Sequence, residues 1–306
     1  MTKMVATMRA LLSASAVALA LAHGPKPVEA AEIVCTQWVK ELANMYPPDA
    51  YLDGILKGTP HPFPPICDWA RLTGEIERGD YEKFRTFFTQ HYLWLRNISL
   101  RSPGGNAGEA IKIGSLMRKY LVTVSAPVRY ENAYGGEFYE VDYADPCEPG
   151  PACICASSCA LIWFGAVDRS GMVGIHRPKI TDPEFAALPP DQAALVYRRT
   201  LDAVSRYLED MEAPRSIIDR MRETGLADIF WIDGHERKFV HPPSFREWVD
   251  ASCGSFSEQE EDESNTFKKR ETDEEIAKRD ELSRKGDRRF TCQKTLTYKH
   301  LRKLPL

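Results

Sequence analysis

The chain has no run of about 18 or more apolar residues, which excludes a multi-span membrane protein. It has no surplus of positive charge either: 40 Lys and Arg stand against 44 Asp and Glu, a formal net charge of -4. No global field therefore draws it to a nucleic-acid backbone. With 19 glycines and 21 prolines among 306 residues it is not collagen-like, and 43% hydrophobic residues are too many for a wholly disordered chain. No internal repeat is found. What is present is an ordinary globular composition, with room for one large or two modest domains.

Residues 1–30 read as an export signal. Lys3 and Arg9 make a positive start, Ala10 to Ala22 is an apolar stretch, and Val28-Glu29-Ala30 places small residues at -3 and -1 of a cleavage site. Cleavage is expected after Ala30, with Ala31 a close second. The apolar stretch is short for a membrane anchor, so the expected location is periplasmic or secreted, and the mature chain carries no transmembrane span. In an oxidising compartment the 8 cysteines are expected to form disulfides. Position favours Cys35 with Cys67, Cys253 with Cys292, and two bridges among Cys147, Cys153, Cys155 and Cys159. Other connectivities stay open at this point. A zinc site from the central four is the metal alternative, but the usual paired C-x2-C spacings are missing, and no metal is expected.

Residues 31–71 combine an amphipathic stretch (Ile33 to Met45) with a proline-rich loop, and read as an N-terminal extension tied down by cysteine. Residues 72–255 carry the strands and periodic helices of an α/β domain. In it, helical spacing over Tyr81 to Phe88 is followed by a strand over Tyr92 to Leu100, a helix over Ala107 to Tyr120 and a strand over Leu121 to Val124. An apolar helix over Ser157 to Ala166, a strand ending at His176 and two further helices over 190–211 and 214–224 complete the pattern. Residues 256–306 are a charged tail, either a solvated helix or disordered.

Three segments could carry chemistry. Ser102-Pro103-Gly104-Gly105-Asn106 lies between a strand and a helix, where a glycine pair bends the backbone and aims free N–H groups beyond the helix start. Such a place can hold an oxyanion. In Cys155-Ala156-Ser157-Ser158-Cys159, a serine at the first turn of a buried helix sits at the positive end of the dipole, which suits a nucleophile and equally suits a helix cap. Ile175-His176-Arg177-Pro178 ends a strand with a histidine able to accept the serine proton.

Together these segments resemble the Clp protease proteolytic subunit and its relatives in the Clp-crotonase superfamily, over residues 72 to 245. The resemblance implies an α/β fold built as a spiral of β-β-α units, here with a cysteine-containing extension before it and the charged tail after it. It implies Ser157 as nucleophile, His176 as general base, the N–H groups of Gly105 and Ser158 as oxyanion hole, and Asp228 as the third triad member, with Asp219 and Asp233 as weaker alternatives. A homo-oligomer and a peptide or protein substrate follow from the same resemblance; no cofactor and no nucleic acid are expected. The chain departs from the family in a shorter interval between Ser157 and His176, in the cysteines flanking the serine, and in offering Ser158 as a second hydroxyl. The function expected is an exported serine hydrolase. The alternatives are a noncatalytic envelope interaction module on the same fold, a cysteine nucleophile at Cys155 or Cys159, and an acyl-CoA enzyme.

Overall fold

The computed structural model describes residues 30–39, 66–93, 95, 97–131, 137–140, 146–147, 153–180, 182–234, 236–265 and 272–304. The export signal before Ala30, the proline-rich loop at 47–65 and much of the 126–151 loop lie outside the described residues.

A five-stranded sheet organises the chain. β1 (Glu32–Val39), β2 (Ile66–Thr73), β3 (Asn97–Arg101), β4 (Thr123–Ser125) and β8 (Asp168–Ser170) lie side by side in that order. β1 pairs antiparallel with β2, and the other pairings are parallel. The fold is thus mixed α/β with a mostly parallel sheet. The sheet begins earlier than the border at residue 72 drawn from sequence: β2 is a central strand and β1 its edge partner. The supposed extension is part of the sheet because Cys67, Ala70 and Leu72 are fully buried in the main core. The Cys35–Cys67 disulfide joins the two strands, where the β1 register slips between Cys35 and Gln37.

Two smaller sheets flank it: β5 (Val128–Glu131), β6 (Glu137–Glu140) and β7 (Pro146–Cys147) form one, and β9 (Met172–Ile175) pairs antiparallel with β10 (Phe230–Asp233) in the other.

Helices α1 (Asp80–His91), α2 (Ala107–Lys119) and α3 (Ser158–Gly165) supply most of the helical residues of the main core. All eight residues of α3 are buried, as expected of a helix apolar on every side. α2 and α3 meet through glycine: a Cβ on Gly165 would lie 2.2 Å from the Gly114 carbonyl oxygen. Tyr207, on the long helix α5 (Pro190–Asp210) that follows the short α4 (Pro183–Ala186), reaches into this contact and donates to the Leu161 carbonyl at 2.8 Å. Next come α6 (Arg215–Glu223), α7 (Arg237–Val240) and α8 (Pro243–Cys253).

The charged tail is helical, as α9 (Glu258–Asn265) and α10 (Asp273–Leu301). A capping box starts α10: Thr272 accepts from the Glu275 N–H while the Glu275 carboxylate accepts from the Thr272 N–H. Lys285–Glu260 and Lys278–Glu263 ion pairs at 2.7 Å link the two helices, and the Cys253–Cys292 disulfide ties α10 to α8.

Candidate active site

β3 runs into the glycine turn at the carboxyl end of the parallel strands. Gly104 and Gly105 take φ of 108° and 130°, in the region that side chains rarely adopt. The turn is fixed on both sides. Ser102 Oγ accepts from the Gly104 N–H at 3.1 Å, the Gly104 carbonyl accepts from the Ile76 N–H at 2.7 Å, and the Asn106 N–H donates to the Ile76 carbonyl at 2.7 Å. Asn106 then caps α2 by accepting from the Glu109 N–H at 3.0 Å. A Cβ on Gly105 would meet the Ile76 carbonyl at 2.2 Å, and one on Gly104 would meet Ser157 Cβ at 2.6 Å. Glycine is therefore required at both positions, and the turn lies directly against Ser157.

The serine segment enters as a strand-like piece between this turn and β9. The Ala156 N–H donates to the Ser102 carbonyl at 3.1 Å, the Gly174 N–H to the Cys155 carbonyl at 2.9 Å, and the Ser157 N–H to the Gly174 carbonyl at 2.8 Å. The backbones of the three motif segments thus run side by side. Ser157 turns the chain into α3 with φ 56° and ψ -124°, a strained conformation for a residue with a Cβ. Such strain costs about 1–3 kcal/mol and persists only where the surroundings enforce it. Here the Cys155–Cys159 disulfide brackets the turn, with both cysteines fully buried.

The two adjacent serines differ. Ser158 is buried and its hydroxyl donates to the Gly105 carbonyl at 2.7 Å, so it is committed to the turn. Ser157 stands at the helix-cap position and makes no side-chain cap bond. Among the described residues, neither the Gly105 N–H nor the Ser158 N–H has a hydrogen-bond partner. The opposite end of α3 is saturated: Arg169 Nη1 donates to the Phe164 carbonyl at 2.7 Å and Arg118 Nε to the Gly165 carbonyl at 3.1 Å. Burial pulls the Arg169 guanidinium down to about 9, which leaves it charged at neutral pH. Two cations at the carboxyl end of α3 complement its dipole.

His176 follows β9 and is half-buried, with Nδ1 2.6 Å from the Arg177 carbonyl. A carbonyl can only accept, so in this contact Nδ1 is the donor. Arg177 is held in turn by the Thr224 carbonyl at the end of α6, which accepts from its N–H and its Nε, each at 3.3 Å. No hydrogen bond joins the Ser157 and His176 side chains among the described residues. Asp228 is exposed, its N–H donates to the Gly225 carbonyl at 3.3 Å, and its carboxylate makes no hydrogen bond to His176. Leu226, Ile229 and Phe230, large and exposed, flank it in sequence.

No protein-family model matches the chain, and no curated protein matches it. Among solved structures it is similar to a ClpP1 mutant from Listeria monocytogenes, at 13% identity and a TM-score of 0.33, over 54% of this chain and 84% of that one. At that level the site's own geometry has to carry any functional reading.

All four disulfides lie among the described residues: Cys35–Cys67, Cys147–Cys153, Cys155–Cys159 and Cys253–Cys292. With their sulfurs paired, Cys155 and Cys159 offer neither a thiolate nor a zinc ligand. Two features of the site escaped the sequence reading. The Arg177 carbonyl, as a backbone group, has no residue-type signature. The Ser102 hydroxyl that fixes the glycine turn sits inside the quoted motif, and its place before Pro-Gly-Gly was the available signal.

Proposed function

We propose that the chain is an exported serine hydrolase acting on peptide or protein substrates. In this reading Ser157 is the nucleophile, His176 the general base, and the Gly105 and Ser158 N–H groups are the oxyanion hole. The observation that carries it is Ser157 itself: a strained, non-glycine residue that forgoes its cap bond beside two N–H groups without partners among the described residues. A serine on a strained strand-to-helix turn is the arrangement that exposes a nucleophilic Oγ.

The Ser157 oxygen attacks the substrate carbonyl and its proton passes to His176 Nε2. The carbonyl oxygen becomes an oxyanion between the two N–H groups. Collapse expels the amine, which takes the proton from His176, and water repeats the sequence on the acyl-enzyme. The Arg177 carbonyl orients the imidazole as a triad carboxylate does elsewhere, and Asp228 is the carboxylate that the resemblance supplies. Export and a homo-oligomer belong to the same proposal. Four disulfides fit an oxidising compartment, and among the described residues no helix is long and apolar enough to cross a membrane.

The test is covalent labelling of the purified mature protein by a fluorophosphonate. Labelling is expected to vanish in Ser157→Ala, persist in Ser158→Ala, and change less than about tenfold in Asp228→Asn, since the Arg177 carbonyl already holds Nδ1. The absence of a Ser157–His176 hydrogen bond favours a second reading, a noncatalytic interaction module. A wild-type protein that refuses the probe yet retains a partner in pull-down establishes that reading instead.

A further inference from the structure

The amino ends of the parallel strands, opposite the glycine turn, enclose a cleft of ≈ 330 Å³ that the proposed hydrolase does not use. Its floor is one register row across the sheet: Trp69 pairs with Asn97, Asn97 with Thr123, and Thr123 with Asp168, and all four residues line the cleft. Its other walls mix aliphatic side chains, such as Leu93, Leu121 and Leu301, with four aromatic ones: Tyr120 beyond α2, Phe245 on α8, and Phe290 and Tyr298 on α10. The volume falls in the range of small-molecule sites, which are apolar with a few convergent polar groups.

Among the described residues, Asp168 is the only acidic one lining this cleft. Burial pushes its carboxyl above the usual carboxylate range, against the opposing pull of His241 and the Arg169 main chain. The nearest ring nitrogen, His241 Nδ1, is 3.7 Å away, beyond hydrogen-bond reach, and has no other partner among the described residues. The neighbouring Arg169 guanidinium turns away to the Phe239 and Phe164 carbonyls at 2.8 Å and 2.7 Å. A carboxylate so placed gains from an added positive charge, and π faces attract cations. The rim already shows this pairing, with the Lys294 ammonium 4.1 Å from the centre of the Phe290 ring.

We propose that this cleft binds an organic cation, a tertiary or quaternary ammonium on a small apolar body, with Asp168 as counter-ion and the aromatic side chains as walls. A carboxylate on the floor disfavours an anionic amphiphile, and a neutral one would gain no charge pairing with Asp168. The site is independent of Ser157.

The test is calorimetric titration of the mature protein with choline, its neutral isostere 3,3-dimethylbutan-1-ol, and octanoate. Choline is expected to bind saturably at one site and at least about tenfold more tightly than the isostere. Asp168→Asn is expected to weaken choline binding about tenfold or more, Phe290→Leu on the exposed rim by about threefold, and Ser157→Ala not at all. Lys294→Ala removes a like charge and is expected to strengthen it severalfold, a readout that stands even if Asp168→Asn fails to fold. Equal binding of choline and its isostere, a preference for octanoate, or indifference to both the Asp168 and Lys294 changes would overturn the proposal.

Discussion

At the start of α1 the N–H groups of Gly79 and Tyr81 both donate to the Glu109 carboxylate at 3.0 Å, whereas at the start of α3 the Ser158 N–H, beside that of Gly105, finds no partner among the described residues. Both helix starts lie against the same glycine turn, since Glu109 is in the first turn of α2 and Ser158 bonds to Gly105. α2 is closed by Asn106 and α10 by its capping box. The fold has the means to satisfy a helix start and uses them at α1, α2 and α10. At α3 it does the reverse: a residue able to cap is held in a strained turn that withholds its hydroxyl. Donors left open in a well-satisfied structure mark where an incoming acceptor goes.

The contrast can be broken first at the glycine turn. Gly105→Ala places a methyl against the Ile76 carbonyl at a φ of 130° and should displace the open N–H. Fluorophosphonate labelling or hydrolysis is expected to fall by about 10²–10³, the usual cost of one oxyanion donor. An unchanged rate in a folded variant would show that this N–H takes no part.

A smaller effect is expected from the brace around the strained serine. Cys155→Ala with Cys159→Ala opens a short loop, worth about 2 kcal/mol by chain entropy, and releases the turn. Urea denaturation should show that loss. The labelling rate should fall more than the melting temperature implies, because Ser157 relaxes toward a normal cap. A labelling rate equal to wild type would mean that the hydrogen bonds to Gly174 and Ser102 suffice to hold the turn.

The least effect belongs to the closed helix start. Burial works against ionisation of Glu109, but Lys112 and the Tyr81 and Gly79 N–H groups together hold its carboxyl below the ordinary value of 4.5. Its contribution is therefore complete above the unfolded value and lost as pH falls through the lower folded one. Glu109→Gln should cost about 1–2 kcal/mol at pH 7, and the difference should disappear as pH falls through the lowered folded value. Activity at pH 7 should change little. A loss that persists unchanged into acid would show that packing, not charge, accounts for it.

Local pattern made the helices legible. Apolar spacing located α1, α2, α5 and α6 within a few residues, and the small residues before Leu161 marked the start of α3. The place of β1 and β2 was not legible, because the partners in this antiparallel pair are separated by a proline-rich stretch, and pairing across such a gap leaves no periodic trace. The tail was ambiguous because its alternating charges suit a solvated helix and a disordered segment equally. The glycine pair and the histidine after β9 could be read from residue type. Which of the two adjacent hydroxyls is bound by the Gly105 carbonyl could not. Nor could sequence reveal that Arg177 holds the imidazole through its main chain.

The Cys155–Cys159 bridge also sets an order of events for the proposed hydrolase. A newly made chain with both sulfurs reduced lacks the clasp on its serine turn, so it is expected to react more slowly than the oxidised chain. Recombinant material from a reducing cytoplasm should therefore be assayed after that bond has been closed.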